Sequence, residues 1–162
     1  MIEKAEVYDA IRRGYSDLAN ADEAEIDAYF SNVDGESISG HIGNIKGILF
    51  EQEYAEKLQE EGVEAVIYDE VNHPESDIAI FEDGEVVEEL QLKATESSAY
   101  IEETLESIGD EVTVVATTEI AQEFPGEVID SGISESLLEE AVTDVVVPIS
   151  PLSIIGWYFG LY

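Results

Sequence analysis

Asp77-Ile78-Ala79-Ile80-Phe81-Glu82-Asp83-Gly84-Glu85-Val86-Val87-Glu88-Glu89-Leu90-Gln91-Leu92-Lys93 reads as two strands joined by a tight turn, and the rest of the chain can be arranged around that hairpin. Aliphatic residues recur on both arms, and Asp83-Gly84 supplies the turn chemistry. The register decides what the hairpin can carry. A two-residue loop at Asp83-Gly84 pairs Asp77 with Leu90 and turns Asp77 away from Gln91 and Lys93. A three-residue loop, Glu82-Asp83-Gly84 with Gly84 left-handed, pairs Asp77 with Glu89 and puts Asp77, Glu89, Gln91 and Lys93 on one face. The apolar pattern favours the second, because it gathers Ile78, Ile80, Val86, Leu90 and Leu92 opposite them, with Glu88 the only acid among the apolar set.

Outward from the hairpin, 63–71 reads as a preceding strand. Residues 43–61 give the strongest helix signal, with Ile45, Leu49, Phe50, Tyr54 and Leu58 on one side and Gly62 as the stop. The first forty residues carry two helices, the first marked by Val7, Ile11, Tyr15 and Leu18, the second by Ala28, Tyr29 and Val33. Downstream come a helix over 96–108, a buried-looking strand over 112–117, a short helix over 118–123, a strand over 128–130, a helix over 135–142, and a further segment over 144–147. The expected class is α/β, a single domain over 1–162 with N-terminal helices over 1–40, a core over 44–117 of order α-β-β-β-α-β, and an apolar, aromatic tail over 148–162.

The composition narrows the setting. Against 39 acidic residues stand 6 basic ones, a formal charge of −33, yet 44% of residues are apolar, so the charge coats a folded protein rather than implying disorder. In molar salt the Debye length shrinks to roughly 3 Å and such repulsion is screened. Adaptation to the high-salt cytoplasm of a halophile is the simplest reading; an acidic mimic of nucleic acid would cluster its acids, whereas these are spread along the chain. There is no cysteine, hence no disulfide or thiolate chemistry. The N-terminus lacks the basic and apolar segments of a signal peptide. The tail, with Trp157, Tyr158, Phe159 and Tyr162, falls short of the roughly twenty residues that cross a bilayer, so no membrane span is expected within this chain. It reads as packed on the domain, as a homodimer or protein interface, or as the first part of a membrane segment in a longer parent.

A lysine carries weight where there are only four, and Lys93 lies within an apolar strand, where an idle charge would be costly. Asp77, the Gln91-Leu92-Lys93 run and the strand context resemble the signature of the PD-(D/E)xK nuclease superfamily. The resemblance covers roughly 44–117 and implies a restriction-endonuclease-like core with a mixed central sheet. Asp77 matches the strand aspartate, Lys93 the lysine, and Gln91 stands where the second acid usually lies. Glu51, in Gly47-Ile48-Leu49-Phe50-Glu51, matches the helix glutamate of many members.

The implied activity is metal-dependent phosphodiester hydrolysis, on DNA rather than RNA. Mg²⁺ or Mn²⁺ would be held by Asp77, Glu51 and Gln91, with Lys93 orienting the attacking water or neutralising charge on the phosphate. An amide at 91 can coordinate a hard cation but brings no charge, so metal should bind more weakly; Glu89 or Glu75 could restore the charge, and the alternative is a fold that has lost turnover and serves as a binding or assembly module. His73, before Pro74 in the loop leading to Asp77, could touch a phosphate or the metal shell; as a lone loop histidine it equally fits a solvated or capping role. His41 reads as a residue at the opening of the long helix. Two histidines without cysteine argue against a closed zinc site, and neither a phosphate-binding glycine loop nor a nucleophile elbow is present.

Overall fold

The computed structural model describes residues 1–68 and 76–147. Helices α1 (Lys4–Gly14), α2 (Glu23–Ser31) and α3 (Ile38–Glu60) lead into strands β1 (Glu64–Ile67), β2 (Ile78–Glu82) and β3 (Glu85–Lys93). Then follow α4 (Ser98–Ser107), β4 (Val112–Ala116), α5 (Thr118–Ala121), β5 (Ile129–Asp130) and α6 (Glu135–Val146). The strands form one mixed sheet in the order β1-β2-β3-β4-β5, antiparallel across β1, β2 and β3 and parallel from β3 to β5. The α/β class and the α-β-β-β-α-β order from α3 to β4 are therefore as expected from the sequence.

Each face of the sheet has its own apolar core. On one side Ala65, Ile78, Leu90, Leu92 and Val115 pack with α1, α2, α3 and α6 through residues such as Ile11, Ile26, Leu49, Phe50, Leu138 and Val142. On the other, Val114 and Ala116 pack against Ile101 of α4 and Ile120 and Ala121 of α5. Because β3 and β4 run parallel with Gln91 beside Val114 and Lys93 beside Ala116, Gln91 and Lys93 belong to this second face.

The long helix starts at Ile38, five residues before the expected position, so the anticipated boundary at residue 40 falls inside it. Gly40, Gly43 and Gly47 are all positions within it. His41 consequently lies in the first turns of α3, where its Nδ1 is 2.6 Å from Tyr15 Oη in an aromatic group with Tyr29 and Phe30. At the other end Gly62 adopts φ +87, and the amides of Gly62 and Val63 return to the carbonyls of Gln59 and Leu58. This closure turns the chain straight into β1.

The hairpin corrects the expected turn. Asp83 (φ 52) and Gly84 (φ 80) are both left-handed, and Glu82 pairs with Glu85, which is a two-residue loop rather than Glu82-Asp83-Gly84. The alternation is rescued one step later. Phe81 pairs with Val86 and Ile80 with Glu88, leaving Val87 as an extra residue on β3. Beyond this bulge Ile78 stands opposite Leu90, both buried. Val86, expected on the core face, lies before the bulge and pairs with Phe81, the neighbour of Ile80 that points to the opposite face, and it is 48% exposed.

Other limits differ in detail. β1 stops at Ile67 rather than continuing to 71, and residues 69–71 lie outside the described part. The segment over 144–147 is not separate: α6 runs on to Val146 because Val142, Val145 and Val146 continue its buried stripe. The tail over 148–162 lies outside the described residues. Among the described residues no helix is long and apolar enough to cross a membrane.

Candidate functional site

Asp77 sits one position before β2, where the backbone is out of step with the ladder. Its N–H donates to Leu90 O (2.8 Å) although Leu90 already faces Ile78, and its carbonyl accepts the Tyr68 N–H (3.0 Å). The offset aims the carboxylate over the edge of β3. There Oδ2 accepts the Leu92 N–H at 2.8 Å and Gln91 Nε2 at 3.1 Å. Asp77 is half-buried, and the desolvation this brings is the main reason its carboxyl is held above its ordinary range; the Leu92 N–H, the Glu51 carboxyl and the charges of Lys93 and Arg13 pull the other way.

Glu51 comes from the opposite direction. It follows Phe50 on α3, in a stretch whose neighbours Ile48, Leu49 and Phe50 are all buried, and is itself only 8% exposed. Burial, together with the adjacent charge of Asp77, pushes its carboxyl up to about 7, against the opposing pull of Arg13. The two carboxyls are neighbours, and the Asp77 charge adds to the burial that raises Glu51. Arg13, in the last turn of α1, brings Nη2 to 2.9 Å from Glu51 Oε2. Arg13 Nη1 and Glu51 Oε2 are buried without an aligned hydrogen-bond partner. Buried polar atoms left unsatisfied in this way call for a water or an ion.

Lys93 closes the cluster from the second face. Its ammonium donates to Tyr100 Oη at 2.9 Å and lies 4.8 Å from the centre of that ring. Tyr100 is held in the first turn of α4, where its N–H donates to the Ser97 side chain (3.1 Å). Glu51, Asp77, Gln91 and Lys93 are thus brought together at one end of the hairpin. Glu89 shares their strand but directs its carboxylate to Tyr68 Oη (2.5 Å) and Ser76 Oγ (3.2 Å). His73 and Glu75 lie outside the described residues.

Two participants were not singled out in the sequence. Arg13 had a signal: both arginines of the chain are adjacent at the end of an amphipathic helix, and so few cations cannot all be idle. Tyr100, seven residues after Lys93, had none, because nothing local distinguishes it from any helix tyrosine.

The donor set suits a hard cation. Two carboxylates and, with its amide turned, the Gln91 oxygen are all oxygen ligands, the kind Mg²⁺ or Mn²⁺ takes together with water. Two further acidic groups could hold a cation among the described residues, Glu6-Glu53-Glu56 and Glu96-Glu135-Glu139, and neither includes Asp77, Glu51 or Gln91. Comparison with protein-family models, with curated proteins and with solved structures finds no match to this chain.

Proposed function

We propose that the chain is a divalent-metal-dependent phosphodiesterase of the PD-(D/E)xK kind, with a restriction-endonuclease-like core, acting on DNA rather than RNA in a high-salt cytoplasm. The observation that carries this reading is the meeting of a buried helix glutamate, a strand aspartate and a lysine of the next strand at one site: Glu51, Asp77 and Lys93. Bound at that site, Mg²⁺ or Mn²⁺ supplies Lewis acidity and a nucleophilic water. Asp77 and Glu51 hold the ion, with Gln91 as a neutral third donor. Lys93 donates to a phosphate oxygen as negative charge develops there. Arg13 fixes the Glu51 carboxylate through its ion pair, and Tyr100 accepts one Lys93 N–H so that the ammonium does not collapse onto Asp77.

A second reading, a nuclease-fold module that binds or assembles without turnover, rests on Gln91. Its amide donates to Asp77, an arrangement that satisfies the aspartate without metal. Such a module could dimerise or meet a protein partner through the aromatic tail. Calorimetric titration of Mn²⁺ in about 2 M KCl, where long-range charge is screened, separates the two. Binding that Asp77→Ala abolishes supports the hydrolase; no binding by the parent favours the module.

A further inference from the structure

In a chain this acidic, the informative surface is the one without acid. The 37–50 stretch contains no Asp or Glu, nor does 90–95, and the first turn of α4 carries none. The fold brings these three stretches together around Lys93 and Tyr100. A cleft of about 270 Å³ between α3 and the end of β3 is lined by Gly43, Gly47, Lys93, Thr95 and Tyr100, and by no acid. A Cβ at Gly43 or Gly47 would meet nothing within 4 Å, so the helix leaves this cleft open. On the other side of Lys93 and Tyr100 a cavity of about 330 Å³ continues past Gln91 and Thr104 to Ser107, with Glu103 its one acidic lining residue.

The rest of the molecule offers little to a phosphate backbone. Arg12 is bound to Ala21 O and Asp9, Arg13 to Glu51, Lys46 to Glu135, and Lys57 to Ser131 O, which leaves the exposed Lys4 at the start of α1. Duplex binding draws its affinity from rows of free cations displacing counterions, and that term weakens steeply with salt. Base stacking on an aromatic face needs no such row. Tyr100 is 46% exposed, its ring beside the single cation that the acid-free surface presents.

We infer that this cleft takes an unpaired polynucleotide strand, with one base stacked on Tyr100 and the adjoining phosphate on Lys93, so that the substrate is single-stranded nucleic acid or a frayed end rather than an intact duplex. This rests on the phosphodiesterase reading and specifies its substrate. Tyr100 is then a binding residue that selects for unpaired bases, and it also positions Lys93.

The test uses the full chain in molar KCl with a labelled DNA single strand, the RNA of the same sequence and the matching DNA duplex, measuring binding by anisotropy with Ca²⁺ and cleavage with Mn²⁺. Single strands should bind at least about tenfold tighter than the duplex; Tyr100→Leu should lose about tenfold of that affinity and Tyr100→Phe should retain most of it, as stacking requires. The DNA and RNA arms show which sugar is accepted. Equal binding and cleavage of duplex and single strand overturns the inference while leaving the hydrolase intact. So does a Tyr100→Leu protein that folds, by circular dichroism, and binds single strands like the parent. Strand binding that depends on Tyr100 without cleavage keeps the cleft as a binding site and removes the hydrolase.

Discussion

If Asp77 and Glu51 hold the cation, binding must displace the proton that Glu51 keeps up to about 7. Burial is the first cause of that raised value and the neighbouring Asp77 charge the second, so both belong to the site itself. With a pKa of about 7, the proton weakens apparent Mn²⁺ affinity by about 11-fold at about pH 6 and by only about 1.1-fold at about pH 8, a gain of roughly tenfold across the interval. Calorimetry in buffers of different ionisation heat should then count about 0.9 proton released per ion at the lower pH and about 0.1 at the higher. The sign for stability runs the same way. A carboxyl raised from 4.5 to about 7 destabilises the metal-free fold where it is charged, so stability falls as pH rises through that window and the penalty is complete above it. Glu51→Gln should remove the pH slope of binding and leave weaker residual affinity at Asp77. Affinity that is flat over the interval, or a slope that persists in Glu51→Gln, would show that Glu51 is not a ligand.

Three further outcomes follow from parts of the fold outside the site. Lys46 neutralises Glu135, which is 1% exposed and has no hydrogen-bond partner on either oxygen, so Lys46→Met should destabilise by about 3–5 kcal/mol and Lys46→Met with Glu135→Leu should recover most of it. Urea unfolding in molar KCl measures this, and a single variant as stable as the parent would contradict the pairing. Glu119 caps α6 through the N–H groups of Glu135 and Ser136 and the Ser134 hydroxyl, so Glu119→Ala should cost about 1–2 kcal/mol. Burial raises that carboxyl, but the N–H donors outweigh it and lower it from 4.5 to about 2; its stabilisation is complete above the ordinary value and disappears as pH falls through that range, where the two unfolding curves should converge. With a formal charge of −33, the thermal midpoint should rise steadily from about 0.1 to about 2 M KCl, and a midpoint independent of salt would remove the halophilic reading.

The hairpin shows what a sequence can and cannot specify. The apolar alternation required Ile78, Leu90 and Leu92 to share a face, and they do. How the chain achieves that parity was not legible, because a longer loop and a bulge have the same effect on which way side chains point. Asp-Gly in the tightest turn with Val87 as the extra residue is the solution adopted. The start of α3 was obscured by Gly40 and Gly43, whose low helix propensity is overridden by the packing of Ile45, Ile48 and Leu49. The burial of Glu51 was invisible for a related reason: helical phase put it near the apolar stripe, but only the arrival of Arg13 from α1 makes a buried carboxylate tolerable there.

The same pairing accounts for glutamine at 91. Without a cation the cluster holds two acids, Glu51 and Asp77, against two bases, Arg13 and Lys93. A glutamate at 91 would add a third carboxylate within reach of Asp77, whose carboxyl burial already raises. An amide instead donates to Asp77 when no ion is present and can present its oxygen when one arrives. Gln91→Glu should therefore strengthen Mn²⁺ binding while lowering the stability of the metal-free protein, and the loss should be regained on adding metal. If Gln91→Glu leaves both unchanged, residue 91 does not face the ion, and Asp77 with Glu51 must hold it alone.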